Sequence, residues 1–404
     1  MTQAFIFDCL RTPRGAGKPG GALSGVPAAG LLAGLLQELA GRASLDTGRV
    51  GEAIIGCVTQ TGEQAGNVGK VAVLEAGWND SVSVATVNHY CASSLWAFNT
   101  AAARVLAGEG LMVAGGVESM SRVPMASDRP PFLSDPATVQ RLRTPPMGVS
   151  ADAIATLYGI LREEAEAYAV QSQQRAARAR AEGRFERSLV PVRDSAGAVL
   201  LAQDETIRAN ATLEKLLAMA PYFAETGAQW ADALILERYP ALGSVTHYHH
   251  AGNSPAMADG ASVVLLGTQA AGTALGLRPR ARVIATAVHA DEHVLALNGA
   301  LGATRTALGL AGLRVEEIDL FEVNEAFAAP TLVFARAFGI PSQKLNVNGG
   351  AIALGHAMGA TGTTLVGMLV DELERGGLRR GVAAVSGALG LGAAVVVEIV
   401  PDWP

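Results

Sequence analysis

Short apolar runs alternate with amphipathic segments along the first part of the chain. Residues 4–7, 52–58 and 111–113 are apolar runs that predict strands, whereas 31–39 is predicted to be a short apolar helix and 69–76 a second helix. Strands that alternate with helices in this way predict an α/β fold built on a layered βαβ sheet.

The segment 82–106 places a cysteine where a strand meets a helix. Apolar residues alternate over 82–87, as in a half-buried strand, and recur at helical spacing over 95–106. Cys91 lies between them, on the predicted first turn of the helix. The free backbone N–H groups and the positive dipole end at that position lower a thiol pKa from about 8.5, which favours a nucleophile. A small buried hydrophobic residue is the alternative that the local sequence leaves open.

The region 121–249 interrupts the alternation. It carries much of the proline and charge, and it contains one long predicted helix at 162–182, rich in Ala, Glu, Gln and Arg. We interpret the region as an inserted loop or cap domain that covers a site built elsewhere. The helix is predicted to be a solvated cap helix, with contact between its arginines and a phosphate as the alternative. An apolar strand is predicted after the region, at 261–266.

The last third of the chain repeats the order of the first. Four predicted strands correspond in order to the opening strand, to 52–58, to 82–87 and to 111–116; they are 282–288, 319–323, 344–350 and 381–386. Two pseudo-symmetric halves bring equivalent strand ends together, and open α/β sheets bind ligands at such ends. Cys91, Asn324, His356 and Ser386 are therefore expected in one place.

This repeat divides the chain into three predicted parts. The first half spans 1–120 and is completed by about 250–275, the inserted domain spans 121–249, and the second half spans 276–404.

Composition narrows the class of protein. The 404 residues are 50% apolar and 17% charged. The net charge of −6 does not indicate a basic surface that would bind nucleic acid or a membrane. No run of about twenty apolar residues predicts a membrane span, and the strand-like start does not resemble a signal peptide. Three scattered cysteines suit a reducing cytoplasm. We therefore expect a soluble cytoplasmic protein.

Several motifs occur together in a fixed order. They are NHYCASSL (88–95), GGVESMS (115–121), NEAFA (324–328), NVNGGAIALGH (346–356) and GATGTT (359–364). In this order they resemble the thiolase family, acyl-CoA acyltransferases that make or cleave 3-ketoacyl-CoA. The resemblance covers essentially the whole chain. It implies the thiolase fold, with two similar layered βαβ halves and an inserted loop domain, in a homodimer or homotetramer.

The resemblance also implies catalytic roles. Cys91 would take up the acyl group as a thioester, and His356 would be the base that activates it. Asn324 would help His356 hold a water against the thioester oxygen, although an Asx-type turn or helix cap is its structural alternative. The backbone N–H groups of Cys91 and of a residue near Ala388 would form a second oxyanion hole.

The resemblance implies coenzyme A as a substrate, and no permanently bound cofactor or metal is expected. The resemblance places Ser254, Met147, His249 and Phe327 against coenzyme A. HYHH at 247–250 has the composition of a metal cluster, but adjacent histidines without a second set of ligands are weak evidence, and we favour a role in lining the coenzyme A tunnel.

The sequence departs from the family close to the predicted site. Ser386 stands where the family has a second catalytic cysteine, and an alcohol is a far weaker acid than a thiol. Ala357, Ala388, Pro255 and the pair His89–Tyr90 are further departures. Cys57, predicted in mid-strand, and Cys9, predicted just past the first strand, are expected in the core. Residues 1–70 show no candidate catalytic side chain.

Three functions follow from this sequence. The first is acyl transfer between coenzyme A thioesters through an acyl-enzyme on Cys91, by thiolysis of 3-ketoacyl-CoA or by Claisen condensation. The second keeps the acyl-enzyme and replaces the carbon–carbon step by transfer to another acceptor or by hydrolysis, as Ser386 suggests. The third is a non-catalytic subunit that binds coenzyme A esters. The joint presence of Cys91, Asn324 and His356 argues against the third.

Overall fold

The computed structural model describes residues 2–401. The strands in this range are β1 (Phe5–Arg11), β2 (Gly15–Ala16), β3 (Val50–Gly56), β4 (Ser83–Val87), β5 (Leu111–Ser119), β6 (Val192–Arg193), β7 (Val199–Leu201), β8 (Ala258–Gly267), β9 (Ala281–Ala290), β10 (Leu320–Val323), β11 (Arg380–Ser386) and β12 (Leu391–Ile399). The helices are α1 (Ala28–Arg42), α2 (Val68–Glu75), α3 (Ser93–Leu106), α4 (Pro131–Ser134), α5 (Pro136–Leu142), α6 (Met147–Tyr158), α7 (Arg162–Ala181), α8 (Leu213–Leu217), α9 (Ala224–Thr226), α10 (Asp232–Arg238), α11 (Gln269–Ala274), α12 (Gly299–Ala311), α13 (Ala328–Phe338), α14 (Ala351–Leu354) and α15 (Thr361–Arg375).

Ten strands form one sheet with two similar arms. The strand order is β4-β3-β5-β8-β1 in the first arm and β9-β12-β11-β10 in the second, and the tenth strand, β2, pairs with β8 outside this order. Within each arm the inner pairs are antiparallel, and the outer pairs, β3 with β5 and β10 with β11, are parallel. The arms meet where Phe5 and Ile6 pair with Arg282 and Ala281. The predicted α/β fold with two similar halves is therefore confirmed.

The helices complete a layered arrangement around the two arms. α1 and α2 cover the outer face of the first arm, and α12 and α13 cover the outer face of the second. α3 and α15 lie between the arms and contact both of them. Glycine allows this close approach, since a Cβ at Gly362 of α15 would overlap the backbone nitrogen of Leu95 in α3.

The chain between β5 and β8 forms the inserted loop domain. It contains α4 to α10 and the small hairpin β6-β7, which pairs with no strand of the large sheet among the described residues. α7 is not the solvated helix that its composition predicts. Tyr168, Gln173 and Glu166 of α7 are buried, and each makes a side-chain hydrogen bond to another part of the chain. The residue boundaries predicted for the three parts stay a prediction.

The structure corrects two further expectations. Residues 344–350 form no strand; only Leu345 makes an isolated parallel bridge, to Phe321, at the place that β4 occupies in the first arm. Cys9 lies within β1 and Cys57 directly after β3, the reverse of the predicted placement, although both are buried as expected.

Within residues 2–401 no helix combines the length and apolar character of a membrane span.

Candidate active site

Four polar side chains lie where strands of the two arms end. Cys91 follows β4, Asn324 follows β10 directly, and Ser386 is the last residue of β11. His356 follows the segment that corresponds to the end of β4 in the second arm. Ligands bind at the carboxyl ends of parallel strands, so this edge of the sheet is the candidate site.

Cys91 occupies a sharp turn between β4 and α3. α3 begins at Ser93 with Ala92 as its N-cap, so Cys91 precedes the helix and is not on its first turn as predicted. Tyr90 has a φ of 50°, which reverses the chain. The Ser93 hydroxyl accepts a hydrogen bond from the His89 N–H at 2.8 Å and donates to the Tyr90 carbonyl at 2.5 Å. These bonds fix the turn that carries the thiol.

The thiol of Cys91 is protonated in the resting site. Burial raises its pKa to about 12, and the negative charge of Glu118 acts in the same direction. The backbone N–H of Cys91 opposes this with a smaller effect. The prediction that the helix end lowers this pKa is therefore wrong, because desolvation of the thiolate outweighs the helix dipole.

The Glu118 carboxylate, on β5, joins the segment after β3 to the turn after His356. It accepts backbone N–H bonds from Val58 at 3.0 Å, from Thr59 at 3.1 Å and from Gly359 at 3.0 Å, and a side-chain bond from Gln64 at 2.8 Å. Burial raises the pKa of this carboxyl group, and the four donors oppose that rise. The turn after His356 is thereby held against the first arm of the sheet.

His356 is buried with one ring nitrogen bonded and the other free. Its Nδ1 lies 2.8 Å from the Thr361 hydroxyl, which donates its own hydrogen to the Ala357 carbonyl at 3.0 Å. The Thr361 oxygen must therefore accept from Nδ1–H. This assigns the neutral tautomer in which Nε2 is an open acceptor, and Nε2 has no partner among the described residues.

The imidazole of His356 is neutral at physiological pH. Burial lowers its pKa to about 3, and the positive charge of Arg14 adds to the effect. A neutral imidazole with a bare Nε2 is the form that accepts a proton. Cys91 and His356 are thus a neutral thiol and a neutral base, and not a preformed thiolate–imidazolium pair.

The backbone of Asn324 is hydrogen-bonded to the sheet, whereas its side-chain amide makes no hydrogen bond within residues 2–401. Its N–H donates to the Ala384 carbonyl of β11 at 2.9 Å. Both polar atoms of its amide are buried without a hydrogen-bond partner among the described residues. The N-cap of α13 is Phe327, so Asn324 makes neither the turn nor the cap that the structural alternative required. A buried amide without partners is costly unless a ligand or water satisfies it.

Ser386 lies beside Asn324 in the same cavity. The two residues line a small enclosed space between α12 and α13. The Ser386 oxygen accepts a hydrogen bond from the Ala300 N–H at 3.0 Å. The next residue, Gly387, is close to the Cys91 turn, since a Cβ added there would lie 3.0 Å from the His89 carbonyl oxygen. Ser386 is therefore brought to the site, as expected.

The residues expected to contact coenzyme A lie in the inserted domain and at the start of α13. The ring of Phe327 is 5.3 Å from that of His249 and 6.0 Å from that of Phe223. Phe223 covers Gly148, next to Met147 at the start of α6. These residues form an apolar wall.

Ser254 and His249 have protein partners for their polar atoms. The Ser254 hydroxyl donates to the His250 carbonyl at 2.5 Å. His249 is buried, with Nδ1 2.6 Å from Asp152 and Nε2 accepting from the Ala329 N–H at 3.5 Å. Both ring nitrogens of His249 are therefore occupied, and the buried ring contributes to the apolar wall through its contact with Phe327.

Each histidine of the HYHH segment is bonded to a carboxylate. His247 lies 2.8 Å from Asp152 and 3.1 Å from Asp232, and these bonds raise its pKa to about 9. His250 Nε2 lies 2.8 Å from Glu166 of α7. The segment thereby joins α6, α7 and α10. Within residues 2–401 no three His, Cys, Asp or Glu side chains are grouped as a metal site requires.

Sequence reasoning missed three residues that shape the site. They are Glu118, Thr361 and Arg14. Glu118 and Thr361 stand inside motifs that the sequence displays, GGVESMS and GATGTT, but nothing in their spacing indicates which partners they bond. Arg14 lies in the first 70 residues, where no candidate was expected, and its charge acts on His356.

Comparisons with known proteins agree along the whole chain. The family model described as "Thiolase, N-terminal domain" matches residues 4–270, and "Thiolase, C-terminal domain" matches 277–399. A 3-ketoacyl-CoA thiolase from Aliivibrio fischeri is 37% identical over 406 residues, 98% of this chain and 100% of that protein. One from Pseudoalteromonas translucida is 37% identical over 412 residues and matches all of both chains. The crystal structure of the Bacillus anthracis acetyl-CoA acetyltransferase superposes with a TM-score of 0.85, at 30% identity and 99% coverage of each chain.

Proposed function

This chain belongs to the thiolase family and is an acyltransferase of thiolase type, and from that premise we propose that Cys91 carries the acyl group between coenzyme A thioesters. One observation carries the assignment of the site. His356 Nε2 and both amide atoms of Asn324 are buried without partners at the sheet edge that holds Cys91. Buried polar groups left open in this way are suited to a reacting ligand.

In the first half-reaction the Cys91 sulfur attacks the thioester carbonyl. The carbon–sulfur bond to Cys91 forms as His356 Nε2 takes the thiol proton, and the bond to coenzyme A then breaks. His356 returns the proton to the coenzyme A sulfur. Because the pKa of the thiol is about 12 and that of the imidazole about 3, proton transfer accompanies attack and does not precede it.

The negative charge that develops on the thioester oxygen during attack must be stabilised by hydrogen-bond donors. We propose that Asn324 and His356 hold a water for one oxyanion position, and that the N–H groups of Cys91 and of a residue near Ala388 form the other. The proximity of Gly387 to the His89 carbonyl supports the second position, because it brings the segment with Ala388 next to the Cys91 turn.

The second half-reaction separates two candidate functions. Thiolysis of a 3-ketoacyl-CoA, or the reverse Claisen condensation, requires a group that moves a proton at the α-carbon. Ser386 occupies that position, and its oxygen is already an acceptor for the Ala300 N–H. An alcohol is a poor acid and base for this step. Ser386 thus favours a second candidate, in which the acyl group passes to another acceptor or to water.

We propose further that coenzyme A is a substrate bound against Met147, His249, Ser254 and Phe327, with no permanently bound cofactor. The apolar wall formed by Met147, Phe223, Phe327 and the His249 ring supports this, because it suits the pantetheine arm.

The assembly proposed is a homodimer or homotetramer in the cytoplasm, without nucleic-acid or membrane partners. β4 pairs with β3 on one side only among the described strands. Val71 and Leu74 of the neighbouring α2 are exposed apolar side chains. An edge strand beside exposed apolar residues favours pairing with a second copy.

A two-step experiment tests the function. The protein is first incubated with acetyl-CoA, and the masses of the peptides that carry Cys91 and Cys57 are measured. Acetoacetyl-CoA and coenzyme A are then added and turnover is followed. Acylation of the Cys91 peptide alone supports the acyl-enzyme, and turnover then decides between carbon–carbon chemistry and the second candidate. Absence of acylation, or equal labelling of Cys57, contradicts the proposal.

A further inference from the structure

Arg14 is a buried cation without a carboxylate partner. It follows β1, its side chain is 3% exposed, and its Nη2 donates to the Thr364 hydroxyl at 3.0 Å. Its Nε and Nη1 have no partner among the described residues. The nearby carboxylate of Asp204 binds both terminal nitrogens of Arg11, at 2.8 and 2.9 Å, and takes only the backbone N–H of Arg14. Two arginines thus share one carboxylate, and the guanidinium of Arg14 is left without a carboxylate of its own.

The backbone places this charge beside the catalytic base. Gly15 and Ala16, directly after Arg14, pair with the first residues of β8. The residue before that strand, Met257, bridges to His356, whose N–H donates to the Ala256 carbonyl at 2.9 Å. The start of β8 therefore lies between the segment with Arg14 and the segment with His356.

The same turn of α15 holds both side chains. Thr361 accepts the Nδ1–H of His356, and Thr364 accepts the Nη2–H of Arg14. Each threonine hydroxyl donates its own hydrogen to a backbone carbonyl, Thr361 to Ala357 and Thr364 to Ala360. Both hydroxyl oxygens therefore act as acceptors towards the ring and the guanidinium. The guanidinium and the imidazole are thus fixed relative to each other by one rigid turn.

We propose that Arg14 is a positioning residue whose buried charge adds to burial of the ring in keeping His356 deprotonated at rest and drives the imidazolium to return its proton to the leaving coenzyme A sulfur. A cation beside an imidazole disfavours the second positive charge. In the proposed half-reaction His356 gains a proton from Cys91 and loses it to the coenzyme A sulfur, so the charge of Arg14 accelerates the second transfer. The inference rests on the proposed function for this step only.

The other groups that face His356 do not supply the same effect. Thr361 of α15 is neutral, and Cys91 before α3 is a protonated thiol. Glu118 of β5 binds the N–H of Gly359, three residues beyond His356, and its charge is negative. The segment before β8 contributes backbone groups only. Burial of the ring and Arg14 are what lower the pKa of His356.

Two variants test the charge of Arg14. Arg14→Met removes the charge and keeps much of the length, whereas Arg14→Lys keeps the charge. The rate of acylation by acetyl-CoA is measured from pH 4 to pH 8 in each. Within this range we expect no acid limb in the wild type or in Arg14→Lys, whereas the rate of Arg14→Met should fall towards pH 4, because its limb lies about one pH unit or more higher. A role in folding alone would lower the rate at every pH without moving the limb, and that result would overturn the proposal.

A direct measurement on the wild-type protein tests the inference even where Arg14→Met folds poorly. Nitrogen-15 labelling of the seven histidines, with His356 identified by its loss in His356→Asn, follows the ring between pH 4 and pH 8. An imidazole that stays neutral down to pH 5 is expected; protonation with a midpoint above pH 5 refutes the inference. Because this readout needs no acyl transfer, failure of the inference is distinguishable from failure of the proposed function.

Discussion

The pKa of Cys91 gives a prediction of the reactivity of the resting enzyme. Burial and Glu118 raise the pKa of the thiol from its ordinary value of 9.0 to about 12. At pH 8 a thiol with a pKa of 9 is ionised to about one part in ten, and one with a pKa of 12 to about one part in 10⁴, a reduction of about 10³-fold. A more basic thiolate is also a stronger nucleophile, which recovers about 20-fold. Alkylation of Cys91 should thus be about 50-fold slower than that of a free thiol.

The assay separates ionisation from access. Iodoacetamide is applied to the folded protein between pH 6 and pH 10, and modification of the Cys91 peptide is followed by mass. Slow access of iodoacetamide to Cys91 lowers the alkylation rate by the same factor at every pH. The pKa of the thiol instead determines the pH above which the alkylation rate stops rising. The account predicts a tenfold rise per pH unit up to pH 10. A plateau below pH 9 would refute it, because a thiolate would then exist in the resting site. Cys9, which is buried and has a raised pKa, is the internal control.

Three further predictions concern other parts of the molecule. Ser386→Cys should raise thiolytic turnover by about 10²-fold or more while acylation is unchanged, because a thiol restores the missing acid and base. Glu118→Ala should lower the free energy of unfolding by at least about 3 kcal/mol, measured with urea, because three backbone N–H groups lose their acceptor. His247→Gln should destabilise the protein by up to about 3 kcal/mol at pH 6. That difference should vanish as the pH rises from 6.5 through 9, since the raised pKa of His247 stabilises the folded state only while the ring is protonated.

Matched variants control these predictions. Turnover unchanged in Ser386→Cys would contradict the role assigned to that position. Glu63 forms a partly exposed pair with Arg122, so Glu63→Ala should cost under about 1 kcal/mol; an equal loss in both glutamate variants would count against the network of Glu118. The exposed side chain of His289 makes no hydrogen bond among the described residues, so His289→Gln is the matched control for the loss of a histidine. If His247→Gln were still less stable than the wild type at pH 10, the ion pair between His247 and its carboxylate partners would be excluded as the cause.

The sequence predicted the elements that local periodicity controls. The strand before Cys91 and the repeat of the two halves followed from apolar spacing, and β4 and the two arms confirm them. Burial was harder to predict. α7 is polar in composition, yet Tyr168 is buried because its hydroxyl donates to Glu325, 157 residues away.

The electrostatics of the site depend on contacts that no local pattern contains. The helix end next to Cys91 predicted a low pKa, but the thiol is 6% exposed and lies near Glu118, so desolvation prevails. Arg14 carries no periodic or motif signal. Its importance arises from the fold, which gives the neighbouring carboxylate of Asp204 to Arg11 and brings the start of β8 against His356.

The central claim, an acyl group carried on Cys91, is tested most directly by isotope exchange. Acetyl-CoA is mixed with isotopically labelled coenzyme A, and transfer of the acetyl group to the labelled molecule is followed by mass. This exchange needs formation and reversal of the acyl-enzyme but no step at an α-carbon, so the outcome is independent of Ser386. The account predicts exchange in the wild type and in Ser386→Ala, and none in Cys91→Ala. Exchange that persists in Cys91→Ala would contradict the account.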